Sequence, residues 1–345
     1  MIKAGIMGAT GYTGAELVRL LELHPEIETI FLDSRSYEGV RFDAIYPNLR
    51  SKVEDICRSI NVDDVPEDTD IIFSALPHRV SQSKVLPLIK RGFRVIDFSA
   101  DFRLREATIY EHWYETKHLD DRTLKKAVYG LPEWYADSIA NAALVANPGC
   151  FPTSILLPLL PLLKEKRLHN KEIIIDSKTG VSGAGRSSSE VNIFSQVNEN
   201  IKAYNIGKHR HTPEIEQELS LAAGSSVNIL FTPHLIPIDR GILSTIVISA
   251  EGITRKDVET CYEAYYEKAP FIRILKEGYL PETKAVKGSN FCDIGFVIDS
   301  RSGKLVVVSA IDNLLKGSSS QAVQNMNVMF GLDERTGLDT APIWP

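Results

Sequence analysis

The opening of the chain admits few folds. Ile2 to Met7 is an apolar run of strand length, and Gly8-Ala9-Thr10-Gly11-Tyr12-Thr13-Gly14 is a glycine-rich turn. Ala15 to Leu23 then carries apolar residues at helical spacing, Pro25 stops it, and Glu28 to Asp33 is a second strand. Strand, turn, helix and strand make a βαβ unit, the opening of a doubly wound parallel sheet. Gly8, Gly11 and Gly14 lack side chains where backbone must turn tightly and approach a pyrophosphate, and the N–H groups of the following helix supply donors. With Thr10, Tyr12 and Thr13 they form a candidate dinucleotide cradle. The glycine pattern alone also occurs in structural turns; its place between the first strand and the first helix gives it weight. Asp33 ends the second strand, where an acid would bind a ribose 2′-OH, but Ser34-Arg35-Ser36 follows at once. An arginine between two hydroxyls suits a 2′-phosphate, so NADP(H) is expected in preference to NAD.

Further strands are expected at 70–76 and 94–98, with a helix over 80–91, and at 144–147. Residues 104–143 are mixed, polar and aromatic, and no pattern assigns them. Beyond Cys150 the pattern changes. Residues 153–164 read as a helix that Pro158 and Pro161 must kink or shorten. Strand runs follow at 171–178, 227–232, 241–250, 291–299 and 304–311, with helices at 212–223 and 255–268. The expected architecture is α/β: a Rossmann-like domain over 1–149, completed by a C-terminal helix within 315–345, and an α+β catalytic and oligomerisation domain over 150–314 with a largely antiparallel sheet. The tail 331–345 is polar, contains two prolines and reads as loosely held.

A chain of 345 residues is long enough for two cores, and its net charge of −6 disfavours nucleic acid and anionic membrane as partners. No apolar run reaches the ~18 residues of a membrane span, and Met1 leads straight into a strand with no secretory h-region. Cys57, Cys150, Cys261 and Cys292 form no CxxC pair and fit no zinc site or disulfide framework, which reads as a reducing cytoplasm and no metal.

Cys150 lies in Asn147-Pro148-Gly149-Cys150-Phe151-Pro152, where a turn gives way to an apolar helical stretch. Backbone N–H groups at a helix entrance favour a thiolate, although cysteine also fills cores. Gly207-Lys208-His209-Arg210-His211-Thr212-Pro213-Glu214 places two imidazoles just before a helix. An imidazole is the natural acid–base partner of a thiol, and Glu214 would orient His211 or serve as a helix-capping acid. A His-x-His zinc site would need ligands that the segment lacks. Ser99 and Arg103, after a strand of the first domain, are candidates for phosphate binding. Ser177 to Arg186 reads as a cationic loop over a ligand. A thiolate and a nicotinamide cofactor in one chain suggest hydride transfer through a thioester.

In this order the segments resemble the N-acetyl-gamma-glutamyl-phosphate reductase family of arginine biosynthesis, related to the aspartate-semialdehyde dehydrogenases, over residues 2–330. The resemblance rests on the glycine turn, Asp97 to Leu104, Tyr129-Gly130-Leu131-Pro132-Glu133, Asn147 to Pro152, Ser182 to Arg186, His209 to Ile215, Thr232 to Pro237, Arg240-Gly241 and Asp312 to Gly317. It implies that Cys150 attacks an acyl phosphate, that phosphate leaves, and that the thioacyl group takes a hydride from NADPH. It implies His211, with His209 as rival and Glu214 behind, for proton transfer. It places Pro77, Gly183, Asn313 and Gly317 at the cofactor, and Ser99, Arg103, Arg186 and Arg240 at the substrate. A homodimer or homotetramer is implied, with a small acyl phosphate and inorganic phosphate as the molecules handled. Ser318-Ser319-Ser320 stands where the family usually has alanines and a glycine; the serines are small, so little change is expected, with room for one added hydrogen bond at the helix start. A carrier-bound aminoadipyl-phosphate reductase of lysine biosynthesis would share fold and chemistry, as would a non-catalytic NADP-binding protein.

Overall fold

The computed structural model describes residues 1–168, 172–187, 190 and 192–344. It divides into two compact units: Met1–Pro148 with Ser318–Asp339, and Gly149–Gly317 with the terminal segment from Thr340.

The first unit is built on six strands: β1 (Ile2–Met7), β2 (Ile27–Asp33), β3 (Ile71–Ser74), β4 (Arg94–Asp97), β5 (Val128–Tyr129) and β6 (Leu144–Ala146). Their order is β2-β1-β3-β4-β6-β5 and every pairing is parallel. The order reverses between β1 and β3, and in such sheets ligands bind outside the carboxyl ends of the strands at that reversal. β3 and β6 are buried along their whole length, which is why they read as unbroken apolar runs rather than alternating ones. Helices Tyr12–Glu22 and Ser81–Lys90 are the first crossovers. The terminal helix Ser319–Met329 belongs to this unit; Arg94 donates to Met329 O at 3.0 Å.

Residues 104–143 hold the helices Ala107–Tyr114, Asp121–Lys126 and Pro132–Ala140 around β5. They are only six to nine residues long, too short for a helical period to emerge. One signal was legible: Asp120 accepts the N–H groups of Arg122 and Thr123 at a helix start. The tail also differs from expectation up to Asp339. Asn327 Nδ2 donates to Glu334 O and Thr336 O, and Leu338 is buried, so backbone acceptors hold a segment that composition alone reads as loose.

The second unit carries β7 (Ile173–Thr179), β8 (Lys202–Ala203), β9 (Ile229–Leu235), β10 (Ile242–Ser249), β11 (Ile272–Ile274), β12 (Cys292–Asp299) and β13 (Lys304–Ile311). Lys171, included in the strand expected from sequence, lies outside the described residues. The order is β11-β12-β13-β10-β7-β9-β8. The pairs β7·β9 and β11·β12 are parallel and the others antiparallel, so the sheet is mixed. Helix Cys150–Lys164 is buried from Phe151 to Leu163. It runs through Pro158 and Pro161 to Lys164, so of the kink or shortening expected from the prolines the shortening does not occur. Each proline withholds one N–H, from Ser154 O and Leu157 O respectively, and a hydroxyl from elsewhere takes each carbonyl: Ser309 Oγ and Tyr266 OH.

Candidate active site

In the first unit the glycine turn leaves the carboxyl end of β1. Gly8 has φ +75°, and a Cβ there would stand 2.5 Å from Ala75 O, just beyond β3. A Cβ on Gly14 would stand 2.5 Å from Gly8 O and 2.7 Å from Ala9 O. These two glycines are required by the protein's own backbone. Gly11 is different: it precedes the first helical residue, and a Cβ there would meet nothing nearer than Gly8 O at 3.7 Å. Its missing side chain leaves open the space a phosphate needs to approach helix N–H groups.

Thr10 Oγ1 and Ser34 Oγ share a hydrogen bond of 2.7 Å, and Ala9 N–H donates to Asp33 O at 3.0 Å, so the turn is tied to the end of β2. Asp33 is buried and its Oδ1 accepts the N–H of Ile60 at 2.9 Å; burial raises its carboxyl above the usual range. Arg35 and Ser36 are exposed, whereas Ser34 is buried. Pro77 is exposed in the loop after β3. Tyr12 and Thr13 open the helix after the turn, and the serines of the last helix reach Thr13. Ser319 Oγ donates to Thr13 O at 2.8 Å and Ser318 Oγ to Thr13 Oγ1 at 3.4 Å.

At the end of β4, Ser99 is buried and its hydroxyl is committed inside the protein. It donates to Asp97 Oδ2 at 2.5 Å and accepts Asp101 N–H at 3.0 Å. Arg103 Nε donates to Asn147 O at 2.8 Å, and an Nη to Phe98 O at 2.6 Å. The arginine thereby fixes the turn that leads toward Cys150. Asp97 also receives Ser81 Oγ, and burial, aided by the charge of Asp101 and opposed by Arg103, pushes its carboxyl up to about 6. A carboxyl raised on folding holds its proton more tightly in the folded state. Its stabilising contribution is present below about pH 4 and is lost as pH rises through about 6. Melting midpoints of Asp97→Asn and wild type, followed from pH 4 to 7, are expected to shift in the variant's favour as pH rises; a constant difference would contradict this.

In the second unit Cys150 is the first helical residue, after Gly149. It is the one cysteine of the four that is not buried. Burial raises the Cys57 thiol and pushes that of Cys261 up to about 11. Glu214, buried in the first turn of helix Thr212–Ala223, accepts Gly149 N–H at 2.8 Å. It therefore holds the turn before the thiol rather than only serving its own helix. His209 sits among rings, with centroids 5.4 Å from Phe151, 5.3 Å from Phe231, 5.6 Å from Tyr204 and 4.9 Å from His211. Its Nδ1 accepts the N–H of His211 at 3.1 Å, which sets the proton of the neutral ring on Nε2. Burial, with Arg210 adding to it, pushes His209 down to about 4. His211 lies 6.0 Å from Phe151, the residue after the thiol.

Gly317 packs on the same thiol: a Cβ there would stand 2.8 Å from Cys150 Cβ. Asn313 Oδ1 accepts Gly241 N–H at 2.8 Å and its Nδ2 donates to Ser182 Oγ at 3.0 Å, next to Gly183. Arg240 pairs with the buried Asp312 at 3.5 Å, while Arg186 is exposed on the loop after β7. Cys150, His209, His211 and Glu214 thus form one cluster; Gly183, Asn313 and Gly317 line a second group that meets it at Cys150.

Residues 3–142 match the model described as semialdehyde dehydrogenase, NAD binding domain, and residues 150–313 the one described as semialdehyde dehydrogenase, dimerisation domain. The N-acetyl-gamma-glutamyl-phosphate reductase of Alkaliphilus metalliredigens (strain QYMF) is 58% identical over 346 residues, covering 100% of both chains. The protein of that name from Geobacter sp. (strain M21) is 50% identical over 347 residues, again covering 100% of both. The chain belongs to the N-acetyl-gamma-glutamyl-phosphate reductase family. Among solved structures, an aspartate-semialdehyde dehydrogenase from Candida albicans with NADP has a TM-score of 0.72 at 17% identity, over 96% of this chain and 98% of that one. At that identity the likeness to this reductase-family chain is one of fold.

Two residues of this reductase-family site were missed in the sequence. Tyr204, half-buried with its ring 5.6 Å from that of His209, has its phenol raised above the usual range, chiefly by burial and then by the Cys150 charge. Nothing in its polar surroundings marks it. Asp312 is the second: one oxygen accepts Leu314 N–H at 2.9 Å, and the other accepts Gly288 N–H at 2.9 Å. Its signal was available, because an aspartate ending a strand commonly caps the following turn.

Proposed function

We propose that the chain catalyses NADPH-dependent reductive dephosphorylation of N-acetyl-L-glutamyl 5-phosphate to N-acetyl-L-glutamate 5-semialdehyde, with Cys150 as nucleophile. The observation that carries this reading is the partly exposed thiol at a helix entrance, with Glu214 gripping the preceding N–H and two imidazoles beside the next residue.

The thiolate of Cys150 attacks the acyl carbon, the C–O bond to phosphate breaks, and inorganic phosphate departs. Backbone N–H groups at the helix entrance stabilise the tetrahedral oxyanion; removing one such donor typically costs about 3 kcal/mol of barrier. NADPH, when bound, supplies the hydride that reduces the thioester. The resulting alkoxide takes a proton to give the thiohemiacetal, and the same group takes that proton back as the C–S bond breaks, releasing aldehyde and regenerating thiolate. His211 moves that proton, because His209, pushed down to about 4, stays neutral at working pH and is held by its Nδ1. Arg103, Arg186 and Arg240 are assigned to the substrate's anionic groups, and Ser99 to holding the loop that carries Arg103.

The cradle fits NADP(H). Gly11 leaves an open space at a helix start, and Arg35 and Ser36 are exposed beside the end of β2. Gly14→Val is expected to destabilise the first unit by several kcal/mol, because a Cβ cannot fit 2.5 Å from a carbonyl oxygen. Gly11→Ala is expected to keep the melting midpoint and weaken NADP binding about tenfold or more. Differential scanning calorimetry and a cofactor titration check both; equal melting losses would remove the argument for Gly11 as a ligand-facing position.

The second unit also supports self-association as a homodimer or homotetramer. Along β10, Ile242, Ser244, Ile246 and Ile248 are buried, while Leu243, Thr245 and Val247 on the opposite face are half-buried. Ile174 on the adjacent β7 is 40% exposed, and Leu230 on β9 beyond it is 53% exposed. A reactive thiol is best kept reduced in a cytoplasm; among the described residues no helix is long and apolar enough to cross a membrane. Turnover of free N-acetylglutamyl phosphate, against none with a carrier-bound aminoadipyl analogue, tests the substrate.

A further inference from the structure

Three serines stand in a row across the second sheet. Ser244 on β10 is the register partner of Ser309 on β13 and of Ser177 on β7, the two strands flanking it. All three are fully buried under helix Cys150–Lys164. Ser154, one turn beyond Cys150, meets the row: its Oγ shares a hydrogen bond of 2.8 Å with Ser244 Oγ, which shares another of 2.7 Å with Ser177 Oγ. Ser154 Oγ also bonds Phe151 O at 2.9 Å, within the first turn of the helix.

The prolines make this contact more than incidental packing. Pro158 has no N–H to give Ser154 O, and Ser309 Oγ gives one instead at 2.5 Å. Pro161 has none for Leu157 O, and Tyr266 OH supplies it, while the adjacent Tyr262 OH donates to Pro158 O at 2.8 Å. A hydrogen bond inside a helix follows the helix wherever it moves. A bond from a strand or a second helix to the same carbonyl fixes the helix against its surroundings. Two prolines thus convert two internal bonds into two external ones, on the element whose first residue is the thiol. A wholly apolar contact over the same stretch would resist separation but tolerate small rotations and slides, because burial is non-directional.

We propose that Ser244, Ser309 and Tyr266 are positioning residues for the reaction: they set the rotation and the height of the Cys150 helix on its sheet. The thiol then keeps its place on the turn held by Glu214, next to Phe151, whose ring meets His211. This rests on Cys150 being the nucleophile. A displacement of about 1 Å at a reacting atom can cost roughly a hundredfold in rate, so a modest shift of this helix is enough to be read in turnover.

The test compares Ser244→Ala, Ser309→Ala and Tyr266→Phe with wild type in steady-state kinetics, and follows iodoacetamide alkylation of the Cys150 peptide against pH. Each variant is expected to lose roughly tenfold in kcat with KM nearly unchanged, and to displace the midpoint of the alkylation profile. Ser309→Thr, which keeps the hydroxyl, is expected to recover kcat. Ile248→Val, a methyl deletion in the same sheet, controls for loss of stability alone. Should a serine variant fail to fold, Tyr266→Phe, which removes a single oxygen, gives the same reading. Variants that melt lower, as the control does, yet keep kcat and the alkylation profile would overturn the proposal and leave the row a purely structural device. Were Cys150→Ser to retain turnover, the nucleophile itself would be wrong, an outcome distinct from unaltered serine variants in an enzyme that needs Cys150.

Discussion

Cys150→Ser is expected to lower phosphate-dependent reduction of NADP by N-acetylglutamate semialdehyde at least about a thousandfold, with the melting midpoint nearly unchanged. A serine hydroxyl is a poor nucleophile at neutral pH unless a base removes its proton in the same step, whereas a thiol yields thiolate readily. The exchange leaves the helix entrance intact, since Gly149 still donates to Glu214 and Thr153 N–H still reaches Gly149 O at 2.9 Å. Losses of this kind come from chemistry and not from folding, so the midpoint is the necessary companion measurement. Retention of a tenth of the activity would remove Cys150 from the mechanism. The three other cysteines are buried, so none offers a replacement at the surface.

His211→Asn is expected to lose about 10²- to 10⁴-fold in kcat/KM, the usual worth of a positioned acid–base group. His209→Gln is expected to fall by no more than about tenfold and to keep the shape of the pH profile near neutrality, because His209, pushed down to about 4, does not titrate there. The sign follows from burial. The charged imidazolium is the form that loses solvation among Phe151, Tyr204 and Phe231, so the neutral ring persists until the medium is strongly acidic. Its Nδ1, engaged by the N–H of His211, holds the second histidine's backbone in place. A loss larger in the His209 variant than in the His211 variant would exchange the two roles.

Much of the first unit was legible because its signals are local. A strand buried on both faces reads as an apolar run, and Gly8 and Gly14 report backbone approaches of 2.5 Å that no side chain permits. The cysteine turn and the two histidines were legible as residue types but not as an arrangement. That Glu214 reaches across to Gly149, 65 positions away, is a tertiary contact with no sequence period to announce it. The phosphate reading of Ser99 met the same limit, since its hydroxyl closes a turn between Asp97 and Asp101. The prolines misled for a physical reason. Their cost to a helix is local, whereas the compensation at Ser154 O and Leu157 O comes from Ser309 and Tyr266, both more than a hundred residues on. The largely antiparallel character of the second sheet holds in four of its six strand pairs, whereas the parallel pairs β7·β9 and β11·β12 join strands separated by long connections, which no local pattern announces.

The most direct test of the thioacyl intermediate is a single-turnover measurement in the oxidative direction with phosphate left out. Enzyme at micromolar concentration is mixed with NADP and N-acetylglutamate semialdehyde, and NADPH absorbance is followed. Without phosphate the acyl group has no acceptor. A burst of about one NADPH per active site followed by a slow phase is therefore expected, with rapid turnover on adding phosphate. Cys150→Ala should show no burst. A reaction that needs phosphate from its first turnover, or a burst that survives in Cys150→Ala, would contradict covalent catalysis at Cys150.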